Sequence, residues 1–145
     1  VYPEEPASNQ DAFNSALVGL PNVILTPHIG GSTEEAQQAI AREVAHKLVR
    51  FAQTGTTMTA VNVPEVELPV QRAGHQRILH FHRNVPGVLS QMHRILADLD
   101  VNVNAEYLQS TTDVSYVILD IDPCDMDEMI ARLKAIPETI RVRVI

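Results

Sequence analysis

The sequence has a single cysteine, no tryptophan, and only three phenylalanines and three tyrosines. One thiol, Cys124, excludes an internal disulfide and suits a reducing compartment, so a cytoplasmic protein is expected. With so few rings, an aliphatic core of Val, Ile, Leu and Met must carry the burial. Positive charge is also short: eleven Lys and Arg against eighteen Asp and Glu leave a net charge of −7 and a pI near 5.2. Such a surface repels a phosphate backbone, which argues against nucleic acid as a partner. No apolar run approaches membrane-spanning length and no charged-then-apolar leader opens the chain, so a membrane partner is not expected either. The six glycines never fall into a GxGxxG pattern, so this chain alone is not expected to bind a dinucleotide in the usual way. What is present is 45% hydrophobic residues, enough for a packed core. The opening "VYPEEP" reads as a piece of a larger protein.

Two regions differ in pattern. In the first, "NVILT" (22–26) reads as a short buried strand that Pro27 ends, with Gly30 and Gly31 allowing a tight turn. Ser32 and Glu35 have capping-box spacing. Ala36, Ile40, Val44 and Leu48 then repeat every four residues as one helical stripe, which Gly55 stops. Residues 56–70 lose periodicity and gain proline, as a linker does. From residue 71 a compact alternation of elements follows. Residues 77–83 alternate, 86–99 carry a helical stripe, and 101–109 place Val101, Val103, Ala105 and Tyr107 on one strand face. "VSYVILDI" (114–121) is strongly β-prone, Asp125 and Glu128 signal a helix start, and "TIRVRVI" alternates again. The order is β-α-β-β-α-β, which packs two helices on one face of a four-stranded sheet. The fold class expected is therefore α+β, a ferredoxin-like βαββαβ domain preceded by a strand, loop and long helix from an α/β domain. About 70 residues make a marginal core, so self-association is expected.

His28 sits between a proline and two glycines, just ahead of a helix. An imidazole presented there can move protons near neutral pH, and the glycines let a ligand approach the backbone. At the start of the second region, "HFHRNVPGVL" (80–89) places Asn84 before Pro86 and Gly87, which open a helix whose free N–H groups suit a carboxylate. His82, Asn84 and Asn102 add polar atoms that an α-amino acid needs for its ammonium group. His80 and His82 share a strand face, but two histidines without a third ligand are weak as a metal site, and no metal is expected. His46, His75 and His93 read as surface residues. Asp120, Asp122, Asp125, Asp127 and Glu128 read as a solvated acidic rim. Cys124 has no basic neighbour to lower its pKa.

"NVILTPHIGGSTEEAQ" with "VYPEEP" resembles the end of the nucleotide-binding domain of the D-2-hydroxyacid dehydrogenases. "AVNVPEV" and "ILHFHRNVPGVL…DVNVNAEYLQ" resemble the C-terminal portion of their phosphoglycerate-oxidising branch, which carries an ACT regulatory domain. The resemblance implies residues 1–55 as a remnant of the NAD-binding catalytic domain, 56–70 as a linker and 71–145 as the ACT domain. It implies that His28 is the catalytic histidine, that Gly30 and Gly31 lie at the cofactor, and that its partner glutamate lies upstream. It further implies L-serine as a feedback effector held by His82 and Asn84, with Asn102 reaching in from a neighbouring subunit. Dimers would form by edge-to-edge pairing of ACT sheets, extending to tetramers in the parent enzyme. NAD belongs to that parent, and this chain alone is expected to be inactive and cofactor-free. Asp100 stands where the pattern often has a turn glycine, and Arg83 and Val85 replace an acidic and a basic residue around Asn84. The competing reading is an ACT-type dimerisation module that ignores amino acids.

Overall fold

The apolar stripe ending at Leu48 builds helix α1, Glu34–Thr54. The computed structural model describes residue 2, residues 4–8 and residues 10–145. Val1 and Pro3 of "VYPEEP" lie outside the described residues, as does Asn9. Thr33, rather than Ser32, caps α1: its Oγ1 accepts the Ala36 amide at 3.1 Å and its carbonyl accepts the Gln37 amide. With the helix starting one residue later than expected, Glu35 falls at its second position, one short of the third from which a side chain reaches back, and a reciprocal box does not form. α1 ends where foreseen, at Gly55, whose φ of +82° is costly for a side-chain-bearing residue. A Cβ there would also lie 2.4 Å from Leu79 Cδ2.

The chain divides into two compact units, Val1–Arg42 and Glu43–Ile145. In the first, residues 22–26 do not form the buried strand expected of them, and Ile24 is 91% exposed. A strand needs a neighbour to take its N–H and C=O groups. Among the described residues of that unit there is none.

The second unit contains β1 (Gln76–Arg83), α2 (Val88–Asp98), β2 (Val103–Ser110), β3 (Val114–Ile121), α3 (Met126–Lys134) and β4 (Thr139–Val144). The sheet order is β2-β3-β1-β4 with antiparallel neighbours, the βαββαβ arrangement expected. Met92 and Leu96 of α2 and Met129 and Leu133 of α3 pack with Ile78, Val117, Leu119 and Ile121 as one core on the helical face. Asp125 caps α3 by accepting from the amides of Asp127 and Glu128. Asp100, at φ +53°, occupies the left-handed turn before β2 where the family pattern has glycine. A shift in register between Val103 and Ala105 makes a β-bulge at Asn104. It breaks the expected four-residue face: Val101 and Val103 join the helical-side core, whereas Tyr107 packs on the opposite face.

That opposite face is covered. Residues 56–70, read as a linker, fold back so that Val66 and Leu68 bury against Leu79, Tyr116 and Ile118. Thr56 and Thr57 are buried with them, their hydroxyls donating to the carbonyls of Val66 and Pro64. The end of α1 is fastened to the same face. Tyr116 Oη donates to the Gly55 carbonyl at 2.7 Å, and burial pushes that phenol well above its ordinary pKa. Arg143 donates to the carbonyls of Phe51 and Ala52, placing a cation at a helix C-terminus. Arg77, fully buried, donates to the Thr54 and Pro69 carbonyls at 3.0 and 3.2 Å while gripping Asp120 through two bonds of 2.5 and 2.7 Å. Asp120 therefore leaves the solvated acidic rim to which its sequence neighbours assigned it. The alternation of β3 turns it to the covered face, with Arg77 directly across the ladder.

Candidate functional site

In the first unit, His28 is exposed and its Nδ1 lies 3.2 Å from Glu5 Oε2. A carboxylate only accepts, so in the neutral ring Nδ1 carries the proton and Nε2 presents its lone pair outward. The His28 contact, chiefly the hydrogen bond, holds the Glu5 carboxyl below its ordinary pKa. This is the arrangement of an oriented general base. The resemblance implied a partner glutamate further upstream; the carboxylate beside His28 in this structure is Glu5, from within the chain. The signal for it was the "EEP" of residues 4–6, quoted for the resemblance but given no role. Beside the pair runs a groove of about 550 Å³ lined by Phe13, Leu25, Pro27 and Ser32 among others. Neither Gly30 nor Gly31 has positive φ, and a Cβ on Gly30 would meet nothing within 4 Å. The backbone at Gly30 is open on the side where a Cβ would stand.

The second unit builds a different site at the end of β1. His82 is 3% exposed. Its Nδ1 lies 2.8 Å from the Arg83 carbonyl, which can only accept, so Nδ1 carries the proton. Nε2 is then a buried acceptor, and it has no hydrogen-bond partner. Among the described residues Glu138 Oε2 is the other buried side-chain atom without a partner; an orphan acceptor such as Nε2 calls for a donor from outside the chain, a ligand group or a water. Two residues on, Asn84 Nδ2 donates to the Thr111 carbonyl at 2.8 Å. Gly87, at φ +95°, starts α2 without any side-chain cap, so the first-turn N–H groups of that helix stay available to an anion. His82, Asn84 and the α2 N-terminus thus lie within six residues of chain, at the end of β1.

Asn102 is not brought to them. It precedes Val103, which lies across from Ile121 and through it from Gln76, at the far end of the sheet from His82. There it belongs to a polar cluster that sequence reasoning passed over. Asn102 Nδ2 donates to Asn104 Oδ1 at 3.4 Å. Asn104 Nδ2 donates to Asp122 Oδ1 at 2.8 Å and lies 3.2 Å from His75 Nδ1. His75, read as a featureless surface residue, joins the cluster only because the bulge turns Asn104 toward it.

His80 is fully occupied. Its Nε2 lies 2.7 Å from Thr139 Oγ1, whose own hydroxyl donates to Leu133 O at 2.7 Å. Nε2 is therefore the protonated nitrogen, and Nδ1 faces Met92 Sδ at 3.0 Å. Burial, helped by His82, lowers its pKa to about 4. His80 is a satisfied core histidine. Cys124 has its pKa raised by burial and by Asp125, the direction of an unreactive thiol.

The four-stranded antiparallel sheet with two helices on one face gives the second unit the ferredoxin-like α+β fold of an ACT domain. Residues 78–141 match the family model described as an AHAS small subunit-like ACT domain. The whole chain is similar to D-3-phosphoglycerate dehydrogenases. It is 47% identical over 147 residues to that of Escherichia coli, 46% over 145 residues to that of Haemophilus influenzae and 43% over 145 residues to that of Dictyostelium discoideum. Each alignment covers 100% of this chain and 35% of the relative. The chain is a homologue of the C-terminal part of the D-3-phosphoglycerate dehydrogenases, and it spans about a third of their length. Among the described residues no helix is long and apolar enough to cross a membrane.

Proposed function

We propose that this chain is the regulatory end of a cytoplasmic, NAD-dependent phosphoglycerate dehydrogenase, and that its ACT domain binds L-serine between two copies. The observation that carries the reading is the buried, unpartnered Nε2 of His82 beside the uncapped start of α2. Serine fits such a place: its carboxylate suits the helix N–H groups, and its ammonium or hydroxyl can donate to Nε2. Asn84, whose amide hydrogen goes to Thr111, keeps its own carbonyl oxygen for the ligand. β2 is an edge strand, and a two-fold axis through the middle of the strand would pair it antiparallel with β2 of a second copy. That pairing brings the Asn102 end of the second copy's β2 to the Ser110 and Thr111 end of the first, next to Asn84. A site that one chain leaves divided between its two ends becomes whole in the dimer.

The His28–Glu5 pair would serve the parent's active site, with His28 Nε2 taking the hydroxyl proton of the substrate. Gly30 and Gly31 would meet NAD only once the rest of the nucleotide-binding domain is present. Alone, this chain is expected to be inactive. In the tetrameric parent, serine would inhibit by favouring one arrangement of subunits over another.

The imidazole of His82 gives a direct test. In ¹⁵N spectra of the chain, adding L-serine should shift the His82 Nε2 resonance, because the orphan lone pair gains a donor. His80, already satisfied, should stay where it is. A His82 resonance indifferent to saturating L-serine contradicts the reading and favours the amino-acid-insensitive dimerisation module.

A further inference from the structure

The cluster around Asn104 bears on what Asn102 can offer a ligand. Asn102 Nδ2 donates one of its two hydrogens to Asn104 Oδ1 at 3.4 Å, which turns the nitrogen toward Asn104 and the carbonyl oxygen of Asn102 away from it. Asn104 can present Oδ1 in that direction only while its own amide nitrogen is turned the other way. Two acceptors hold it so: Asp122 Oδ1 at 2.8 Å and His75 Nδ1 at 3.2 Å. All three residues lie outside the His82 and Asn84 end of the sheet. None has another bond that explains the arrangement. The Asn102 main chain is also fixed, its carbonyl accepting the Asp122 amide at 3.1 Å.

We propose that Asn104 is a positioning residue for the effector site: gripped by Asp122 and His75, it orients the Asn102 amide with the carbonyl oxygen outward, so that Asn102 accepts from a ligand's ammonium group rather than donating to its carboxylate. The inference rests on the serine reading above. It assigns the cationic end of the amino acid to the second copy's edge of the site, and the carboxylate to the α2 N-terminus. It also makes the fit depend on His75 accepting at Nδ1.

Three variants and two measurements test it. Asn104→Ala should weaken L-serine binding about tenfold, the scale of one lost orienting hydrogen bond in a polar site, with the dimer unchanged by sedimentation. Asn104→Asp discriminates further: its carboxylate still accepts from Asn102, so that variant should bind serine more tightly than Asn104→Ala does. Side-chain amide NMR of the unliganded chain supplies the second measurement: Asn104→Ala should shift the Asn102 NH₂ pair and collapse its dispersion. If Asn102→Ala loses serine while both Asn104 variants bind normally, the positioning role is overturned and the serine reading stands. If the wild-type chain binds no serine, both fall.

Discussion

Replacing Asp120 with alanine is expected to destabilise the second unit by about 3–5 kcal/mol, the cost of leaving a buried charge without its partner. Arg77 is 0% exposed and reaches Asp120 through two parallel bonds. Its remaining nitrogen joins Thr54, at the end of α1, to Pro69. The guanidinium therefore ties the end of α1, the covering segment and the sheet together at one point. Removing the carboxylate strands a cation in the interior, where desolvation is not repaid. Urea unfolding of Asp120→Ala against wild type measures the loss. A double replacement, Arg77→Met with Asp120→Leu, should recover much of it, since an apolar pair of similar volume carries no desolvation cost. A loss below about 1 kcal/mol for Asp120→Ala, the range of a surface pair, would show that solvent reaches this site.

Acid should weaken the fold through His80. In the folded chain its pKa lies near 4, against 6.5 for an unperturbed imidazole, because protonation would bury a charge beside His82. As pH falls below the ordinary value, the unfolded chain takes up the proton first. Stability therefore rises with pH across the window from 4 to 6.5 and is lost on going down through it, by about 3 kcal/mol in all. Denaturant midpoints at neutral pH and near pH 4.5 measure this. His80→Leu should flatten that part of the profile while leaving other acid-sensitive groups in place. An unchanged acid limb in His80→Leu would place the titrating group elsewhere.

The legible parts of the fold were those where local periodicity and tertiary packing agree. The stripes of α2 and α3 need only their own residues to be read, and each packs as its pattern says; the alternation of β1 and β4 located those strands but not their faces, since β1 is buried on both sides and Ile140 of β4 is 56% exposed at the register shift beside Phe81 and His82. The failures have two physical origins. Strands are defined by neighbours, so "NVILT" looked like a strand and is not one without a ladder to join. A bulge is equally invisible to alternation: a single extra residue at Asn104 moves Val103 to the helical core and turns Tyr107 to the other face. The same bulge explains why the His75, Asn104 and Asp122 cluster went unread, since three residues from three segments meet only after the register shifts. Asp120 was misassigned because its acidic neighbours drew it into their class, whereas its strand position opposite Arg77 decides its surroundings. At the candidate site, His82, Asn84 and the glycine-opened helix were legible because they lie within six residues. The sequence could not say that His82 would be left with an unmet lone pair, nor that Glu5 would come to His28 across 23 positions of chain.

The central claim is that this domain binds an amino acid through a site completed by a second copy. Calorimetric titration of L-serine into the purified chain, with glycine and D-serine as controls and the dimer verified by sedimentation, tests it most directly. Stereospecific saturation at one L-serine per chain, or one per two chains, lost on Asn102→Ala with the dimer intact, is the predicted result. A folded dimer that takes up no amino acid would contradict the account and leave the ACT domain as a device for assembly.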